Sequence, residues 1–385
     1  MMRLVKLFFV MGILGCLVLP ICHINKEKMN VRENRTLVKI PKLKKDGWLN
    51  ENYGKEFELW LGDRFWGRDK FIDARFHLFY KLNSRIENDK AFMDDDGMIF
   101  SKEKIRTICF PISEEKFSKI KLNLEFLKKW CQNHHIKLYI FIPPEKEDIF
   151  FDKINHFYRN CAKEPISNFV SQIKKEIGID ILYPKDLYHG NHKEFTHTHT
   201  DHHWTEYGAW LTYQELSKRI KKDFPNFRML SESDFDVFYD VRPRLGSFKN
   251  LFDRRFYSGT NCNTLRLDKK KCLLTHFYPY YDHKHKERLM VNYGPLPMSR
   301  YTTYLDAGNK LKLTLLGTSH GGFLMSFLPY SVRDCLMLRV NNEEKDIVDV
   351  YEMKRFEKFI LDFKTNILLL YVTSSSLDQL SELYN

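Results

Sequence analysis

Leu311-Lys-Leu-Thr-Leu-Leu-Gly-Thr-Ser-His-Gly-Gly322 is the stretch that decides the fold. Its apolar run predicts a buried strand, and the glycines on either side of Ser319 predict a sharp turn before a helix that begins near Gly322. A serine at such a turn exposes its hydroxyl, and the first backbone N–H groups of the following helix point towards a developing oxyanion. Ser319 is therefore a candidate nucleophile. A glycine- and serine-rich helix cap without catalysis is the alternative interpretation.

Similar apolar runs recur along the chain and alternate with segments of helical periodicity. Strands are predicted at residues 98–100, 136–142, 179–183 and 366–372. Helices are predicted within residues 51–82, 114–134, 166–177 and 205–224, and after Ser375. Strands that alternate with helices predict a mostly parallel sheet covered on both faces. Active-site residues of such sheets collect where strands end and helices begin.

The chain order restricts where a base for Ser319 can lie. The G-x-S-x-G pattern around this serine matches the nucleophile elbow of α/β-hydrolases, which place their Asp and His after the Ser. No histidine follows His320, so that order is excluded and the base has to come from upstream. The upstream candidate segment is Thr196-His-Thr-His-Thr-Asp-His-His-Trp-Thr205. Within it, Asp201 and His203 are two residues apart and point to one side of an extended backbone, as an acid–base pair requires.

A metal site is the main alternative interpretation of the histidine-rich segment. The HxHxDH signature of metallo-β-lactamase-type hydrolases, which suits a binuclear zinc centre, is matched by His197, His199, Asp201 and His202. Further ligands would come from His276, His283 and His285. This interpretation leaves the strand and turn at Ser319 unexplained. We therefore predict no metal and no cofactor, and we interpret His197 and His199 as part of a polar loop.

Four further residues are expected to line the oxyanion hole or to bind substrate because they flank the candidate triad. They are Trp204, Gly317, Thr318 and His320. Of the backbone donors, the N–H of Ser319 and one neighbouring N–H are expected to form part of the oxyanion hole.

Composition and charge restrict the class of protein. The 385 residues are 43% hydrophobic and 29% charged, which is typical of a globular chain with room for a large catalytic domain and a smaller appendage. The net charge of +12 is spread along the chain without an arginine-rich arm, a zinc finger or an RNA-binding signature. No nucleic-acid partner is therefore predicted. An excess of this kind favours anionic partners such as acidic polysaccharides, whereas its even spread along the chain favours a solvated basic surface without such a partner.

The N-terminal residues predict a membrane anchor and the organisation of the rest of the chain. Arg3 and Lys6 precede an uncharged run over residues 7–22, the pattern of a secretory signal or a signal anchor. No small-residue cleavage site follows the run, which favours an uncleaved, single-pass anchor over residues 1–24. The rest of the chain is then expected outside the cytoplasm. It is predicted to comprise a linker with amphipathic helices over residues 25–95, then a catalytic domain over residues 96–385 with a loop-rich insertion around residues 228–305.

The segment Asp201-His202-His203-Trp204 resembles the naming motif of the bacterial DHHW protein family. That family resembles the SGNH-like alginate O-acetyltransferase group, which pairs an Asp-x-His-Trp-Thr segment with a later Gly-Asp/Thr-Ser turn. Further matches to this group are Glu33-Asn34-Arg35, Leu61-Gly-Asp63-Arg64-Phe65 with Arg68-Asp69, Asp96-Gly97-Met98-Ile99-Phe100, and Pro143-Pro144-Glu145-Lys146. Two departures lie outside the candidate triad: Thr318 stands where many members have Asp, and Met98 replaces the usual Trp.

The resemblance extends over roughly residues 30–375 and implies a fold and a function. It implies an SGNH-hydrolase-like α/β sandwich with Ser319 as nucleophile, His203 as base and Asp201 as its acidic partner. It also implies extracytoplasmic O-acetylation of a cell-surface or secreted polysaccharide, with the acyl group supplied by a membrane-bound O-acyltransferase. A carbohydrate esterase with the same triad, a zinc hydrolase and a non-catalytic glycan-binding scaffold are the alternative functions.

Overall fold

The computed structural model of the protein describes residues 11, 15, 24–30, 35–45, 47–83, 86–87, 90–94, 98–154, 164–240, 274–279, 300–304, 307–340 and 353–384. The chain divides into two compact units, of which the first reaches Asn88 and the second begins at Asp89. The predicted anchor over residues 1–24 lies almost entirely outside the described residues. In the part of the chain that is described, no helix is both long enough and apolar enough to cross a membrane.

Short ladders and two helices form the described part of the first unit. The strands are β1 (Met29–Asn30), β2 (Arg35–Thr36), β3 (Lys44–Lys45), β4 (Trp48–Leu49) and β5 (Ile86–Glu87). The helices are α1 (Tyr53–Arg64) and α2 (Arg68–Asn83). Strand β1 pairs antiparallel with β2, and β3 pairs antiparallel with β4. The helical pattern over residues 51–82 therefore becomes two helices, broken at the Gly67 turn, where φ is +78°.

Asp63 and Arg64 hold the segment that precedes α1. The Asp63 carboxylate accepts a hydrogen bond from the Val38 backbone N–H at 2.8 Å. The Arg64 guanidinium donates to the Val38 carbonyl at 2.6 Å and to the Asn25 and Glu27 carbonyls at 2.8 and 2.9 Å. These two residues of the Asp-Arg-Phe match therefore have a structural role within the first unit.

A six-stranded sheet is the centre of the second unit. Its strands, in spatial order, are β12 (Arg300–Thr303), β14 (Asp334–Arg339), β13 (Lys312–Gly317), β15 (Ile367–Tyr371), β8 (Lys137–Phe141) and β9 (Ile181–Leu182). All neighbours pair parallel except β12 and β14, which pair antiparallel. The prediction of a mostly parallel central sheet is confirmed. Strand β13, which leads to Ser319, lies in the interior of the sheet between β14 and β15.

Helices cover both faces of this sheet. They are α3 (Lys102–Cys109), α4 (Glu114–Asn133), α5 (Lys146–Ile149), α6 (Phe151–Ile154), α7 (Pro165–Ile177), α8 (Glu206–Asp223) and α9 (Met353–Asp362). Leu316 of β13 packs in one apolar core with α4, α7 and α9, whereas Leu313 and Leu315 pack in a second core with α3 and α8. Both faces of the strands are buried, which explains their nearly continuous apolar sequences.

Several segments differ from the sequence-based prediction. The helix expected from Gly322 is a 3₁₀ segment, Ser319–Ser326, followed by a second one, Leu328–Tyr330. The glycine pair and Pro329 both disfavour an α-helix here. The terminal helix expected after Ser375 is also 3₁₀, Ser374–Glu382, and starts two residues earlier, with Thr373 as its N-cap residue.

Among the elements that the sequence analysis did not predict are α3, β14 and α9. In the predicted insertion, β10 (Phe235–Asp240) pairs antiparallel with β11 (Leu274–Pro279). Residues 241–273 and 280–299 of that insertion lie outside the described residues. Strands β6 (Ala91–Met93) and β7 (Ile99–Ser101) of the second unit pair antiparallel with each other.

Candidate active site

Strand β13 ends at a turn that presents Ser319 at the edge of the sheet. Ser319 is partly exposed, whereas the residues on either side of it are buried. The hydroxyl of Thr318 is hydrogen-bonded to the hydroxyl of Tyr371, the last residue of β15. A Cβ atom built on Gly317 would lie 1.9 Å from the Tyr371 ring, and one built on Gly321 would lie 2.7 Å from it. The two glycines therefore let the Tyr371 ring pack directly against the backbone of the turn.

This contact predicts that Gly317→Ala destabilises the protein by at least about 3 kcal/mol, because a methyl group would overlap the Tyr371 ring. The displaced turn is also expected to lower kcat/KM for an acetyl ester about 10²-fold. Urea unfolding and steady-state kinetics measure the two effects. Gly322→Ala is the matched control, because nothing lies within 4 Å of its added methyl group. Equal stability of the two variants would contradict this description of the turn.

The second site segment, residues 196–205, runs into the N-terminus of α8. The Thr205 hydroxyl accepts a hydrogen bond from the Gly208 N–H at 3.1 Å and donates to the Phe195 carbonyl at 2.6 Å. Thr205 is thus the N-cap residue of α8. The Trp204 indole Nε1–H donates to the His320 carbonyl at 3.0 Å. This bond joins the segment to the turn that carries Ser319, although the two residues are 116 positions apart.

Asp201, His203 and Ser319 form one chain of hydrogen bonds. The Ser319 Oγ lies 2.9 Å from His203 Nε2, and His203 Nδ1 lies 2.8 Å from Asp201 Oδ1. Asp201 Oδ1 also accepts from the His203 backbone N–H at 3.1 Å. An Asp side chain readily accepts from the backbone two residues further on, so the Asp-x-His spacing orients the imidazole of the second residue. The arrangement has the order of partners that a serine nucleophile, its base and the orienting acid require.

Charge at the site keeps Asp201 ionised. Burial alone would raise the pKa of this carboxyl, but the hydrogen bond from His203 and the nearby imidazoles outweigh it and hold the pKa well below its usual range. An ionised Asp201 accepts the Nδ1–H of His203 and leaves Nε2 as the acceptor for the Ser319 hydroxyl. This tautomer is the one that can remove the serine proton.

Two more histidines contact His203. The His202 ring lies 3.9 Å from the His203 ring and the His320 ring lies 4.4 Å from it, measured between centroids. Burial, followed by the positive charge of Lys104, holds the pKa of His202 well below its usual value. Burial also lowers the pKa of His320. Asp201 Oδ1 lies 3.5 Å from His202 Nδ1, compared with 2.8 Å from His203 Nδ1, so its shorter contact is with His203.

The four residues expected to line the oxyanion hole or bind substrate all lie beside the triad, and each has a structural partner. Gly317 packs against Tyr371, and Thr318 is hydrogen-bonded to the same tyrosine. The Trp204 indole binds the His320 carbonyl, and the His320 Nε2–H donates to the His202 carbonyl at 3.3 Å. These contacts fix the relative positions of the turn and the histidine-rich segment.

The structure does not gather the ligands of the zinc interpretation. His197 and His199 are both buried, and His197 Nδ1 lies 3.1 Å from the Thr196 hydroxyl. Burial lowers the pKa of His197. Among the described residues, the ligand atoms that converge belong to His202, His203 and His320, a set without His197 and His199. Of the further ligands considered, His276 lies on β11, and His283 and His285 fall outside the described residues.

Lys146, which sequence reasoning did not connect with the site, holds the backbone of the histidine-rich segment. It follows β8 and is fully buried. Its ammonium group donates to the carbonyls of Asp201, Thr198 and His199 at 2.7, 3.2 and 3.3 Å. Burial lowers the pKa of Lys146 to about 8, and the nearby carboxylates of Glu147 and Asp201 oppose this shift. Lys146 is thus a positioning residue for Asp201 and His203.

The residues around Lys146 fasten it to three other parts of the second unit. The buried Glu145 carboxylate is bonded to Lys104 of α3 and accepts from the Ser375 N–H at 3.0 Å. Glu147 accepts from the Ser101 N–H of β7 at 2.8 Å. These bonds show that Glu145 of the Pro-Pro-Glu-Lys match has a structural role. The turn after β8 carries the buried Lys146 and two carboxylates, Glu145 and Glu147, that bind the neighbouring elements.

Strand β7 supports the same segment from another side. The Ile99 N–H donates to the His199 carbonyl at 2.9 Å, so this carbonyl accepts from both Ile99 and Lys146. Met98, which stands where the alginate group has Trp, is buried in the core that contains Trp204. Met98 and Ile99 of the Asp-Gly-Met-Ile-Phe match therefore support the histidine-rich segment.

We expect Lys146→Met to lower kcat/KM for an acetyl ester about 10²-fold, since three carbonyls of the histidine-rich segment lose their common donor. The free energy of unfolding is expected to fall by about 3 kcal/mol, because the Asp201 and Thr198 carbonyls lose this donor, whereas the His199 carbonyl retains the Ile99 N–H. Steady-state kinetics on the folded variant measures kcat/KM, and urea unfolding measures the free energy of unfolding. Lys119→Met removes an exposed surface ion pair and is the control. Unchanged kinetics in folded Lys146→Met would refute the positioning role.

Comparisons with known proteins find a matching family model and several similar folds. Residues 107–266 match the family model described as SGNH hydrolase-like domain, acetyltransferase AlgX. The fold is similar to that of Bacillus cereus PatB1, with a TM-score of 0.53 and 15% identity over 76% of this chain and 96% of that chain. A second PatB1 structure, with a sulfonyl adduct, has a TM-score of 0.53 and 12% identity over 77% of this chain and 100% of that chain.

A DHHW family protein from Eubacterium siraeum is also similar in fold. It has a TM-score of 0.50 and 11% identity over 78% of this chain and 97% of that chain. No curated protein sequence gives a significant match. The resemblance to the DHHW proteins and to the SGNH-like acetyltransferase group is confirmed. The fold is an SGNH-like α/β fold with a mostly parallel central sheet. Residues 107–266 are therefore similar to an SGNH-like acetyltransferase domain.

Proposed function

We propose that the protein is an extracytoplasmic, membrane-tethered O-acetyltransferase that acetylates a polysaccharide through an acyl-Ser319 intermediate. The observation that carries the proposal is the hydrogen-bonded chain from Ser319 through His203 to Asp201. The match to an acetyltransferase family over residues 107–266 supports acyl transfer as the reaction class.

The first half-reaction loads the enzyme. His203 Nε2 takes the proton of the Ser319 hydroxyl while Oγ attacks the carbonyl carbon of the acetyl donor. The Ser319 backbone N–H donates to the oxyanion of the tetrahedral intermediate. The imidazolium, stabilised by ionised Asp201, then gives its proton to the leaving group as the bond between that group and the acetyl carbon breaks. Acetyl-Ser319 and the protonated leaving group are the products.

The second half-reaction transfers the acetyl group to a sugar. His203 Nε2 takes the proton of an acceptor hydroxyl, whose oxygen attacks the acetyl-Ser319 carbonyl. Collapse of the intermediate breaks the bond to Ser319 Oγ, which recovers the proton from His203. Water in place of the sugar would release acetate, so exclusion of water decides between transfer and hydrolysis.

Three features support the proposed location and partners. The basic head and apolar run over residues 1–24 favour a membrane anchor. Cys109 takes part in a disulfide, and disulfides persist mainly outside the cytoplasm. The net charge of +12 favours an acidic glycan as acceptor. We infer that a membrane-bound O-acyltransferase supplies the acyl group, because a catalytic domain outside the cytoplasm lacks access to cytoplasmic acyl donors.

The test is an acetyl-transfer assay with the full chain in detergent. A chromogenic acetyl ester serves as donor and acidic oligosaccharides serve as acceptors, and mass spectrometry detects acetylated sugar. The proposal expects acetylated sugar from the wild-type protein and none from Ser319→Ala. Acetate release without sugar acetylation would instead indicate an esterase with the same triad. Equal turnover by both proteins would exclude the serine mechanism, and loss of turnover with a chelator would favour a zinc hydrolase.

A further inference from the structure

His202 and His320, two of the three histidines that meet at Ser319, have no part in the proton transfers described above. We call His202, His203 and His320 the histidine trio. One ligand nitrogen from each lies within 4.8 Å of the other two. The ring centroids of His202 and His320 are 5.3 Å apart, and both rings contact that of His203. A serine nucleophile needs one imidazole, so the other two call for a separate explanation.

We propose that the histidine trio binds a single Zn²⁺ ion, which takes His203 away from Ser319 and switches acyl transfer off. Three neutral imidazoles with one open position form a common zinc ligand set. Coordination through His203 Nε2 would remove the acceptor of the Ser319 proton, which lies 2.9 Å from that nitrogen. The binding itself is independent of the proposed function, whereas its effect on activity rests on it.

Asp201 provides the carboxylate contact that holds zinc-bound histidines in place. Zinc-bound histidines usually donate their other ring N–H to a carboxylate, which fixes the ring and raises the basicity of the ligand nitrogen. Asp201 Oδ1 lies 2.8 Å from Nδ1 of His203 and 3.5 Å from Nδ1 of His202. One carboxylate therefore faces two rings of the trio on their Nδ1 side and directs both Nε2 atoms away from itself.

The remaining ligand, His320, is held in place through its backbone. Its carbonyl accepts from the Trp204 indole at 3.0 Å, and its Nε2–H donates to the His202 carbonyl at 3.3 Å, which leaves Nδ1 as the nitrogen for the ion. Zinc–nitrogen bonds of about 2.0–2.1 Å require ligand nitrogens about 3.3 Å apart, so the trio has to contract by up to about 1.5 Å. The side chain of His202 is 28% exposed, and it is the member with most room to move.

The binding test uses the full-length Ser319→Ala protein, which keeps the trio and lacks the nucleophile. Isothermal titration with Zn²⁺ is expected to show one ion per chain with a Kd on the order of 1 μM or lower. Adding His202→Gln is expected to weaken binding at least about tenfold. Adding His134→Gln, an exposed histidine after α4, is the matched control and should change nothing. Absence of saturable binding, or equal binding after His202→Gln, would overturn the proposal.

The activity test uses the protein with Ser319 intact. Zn²⁺ is expected to inhibit acetyl-ester turnover at the concentrations that saturate the site, and a chelator should restore it. His202→Gln should keep turnover within about threefold and require at least about tenfold more Zn²⁺ for inhibition. Zinc binding without inhibition would overturn the switch. If wild-type turnover is absent, the proposed function fails, while the titration still decides whether the trio binds zinc.

Discussion

His203→Ala is expected to lower kcat/KM for an acetyl ester by about 10⁴-fold or more. The Ser319 hydroxyl is hydrogen-bonded to His203 Nε2 at 2.9 Å, and a serine without its base is a poor nucleophile. Loss of one triad member in serine hydrolases removes most of the catalysis that the triad provides. Steady-state kinetics with a chromogenic acetyl ester measures the change, and circular dichroism verifies the fold.

The neighbouring histidine provides the control for this prediction. His202→Gln keeps the length of the segment and is expected to change kcat/KM by no more than about threefold. We expect this small change because Asp201 Oδ1 is closer to His203 Nδ1, at 2.8 Å, than to His202 Nδ1, at 3.5 Å. A large loss in His202→Gln together with an active His203→Ala protein would assign the base to His202 instead.

Asp201→Asn is expected to lower kcat/KM about 10⁴-fold while leaving the fold intact. The amide has nearly the shape of the carboxylate but cannot stabilise the imidazolium by charge. Its NH₂ group also favours the tautomer of His203 that carries the proton on Nε2, where it cannot accept from Ser319. The measurement is kcat/KM of the purified variant at neutral pH, compared with its free energy of unfolding.

A surface aspartate serves as the matched control for Asp201→Asn. Asp378 forms an exposed ion pair with Lys116, so Asp378→Asn tests the loss of a carboxylate away from the site. Its kcat/KM should stay within about threefold of the wild-type value. If Asp201→Asn were as active as Asp378→Asn, Asp201 would have no role in orienting or charging His203.

Local sequence was sufficient for the elements that lead to the site. The run over residues 311–316 predicted β13, because both faces of a central parallel strand are apolar. Strand β14 was missed because Asp334 and Arg339, at its two ends, leave only a short apolar run between them. The helix expected after Gly322 became 3₁₀ because glycines and a proline oppose the α-helical ladder.

Sequence patterns did not predict the contacts between residues that are distant along the chain. The Asp-x-His spacing pointed to His203, because residues two apart lie on one side of an extended backbone. In the structure, Asp201 also accepts from the His203 backbone N–H. Lys146 gave no comparable signal, although the Pro-Pro-Glu-Lys match drew attention to its turn. Its acceptors lie 52 to 55 residues away, and only the folded chain shows that a buried ammonium group meets three carbonyls there. The packing of Tyr371 against Gly317 is another contact that only the folded chain shows.

The formation of acetyl-Ser319 can be measured by mass spectrometry of the protein after rapid acid quenching of a reaction with an acetyl ester. We expect one acetyl group per chain, located by peptide mapping on Ser319, and no such adduct in His203→Ala. Adding an acceptor sugar should remove the group at the rate at which acetylated sugar appears. Turnover that proceeds with the acetyl group on another residue, or that persists in Ser319→Ala, would show that Ser319 is not the nucleophile.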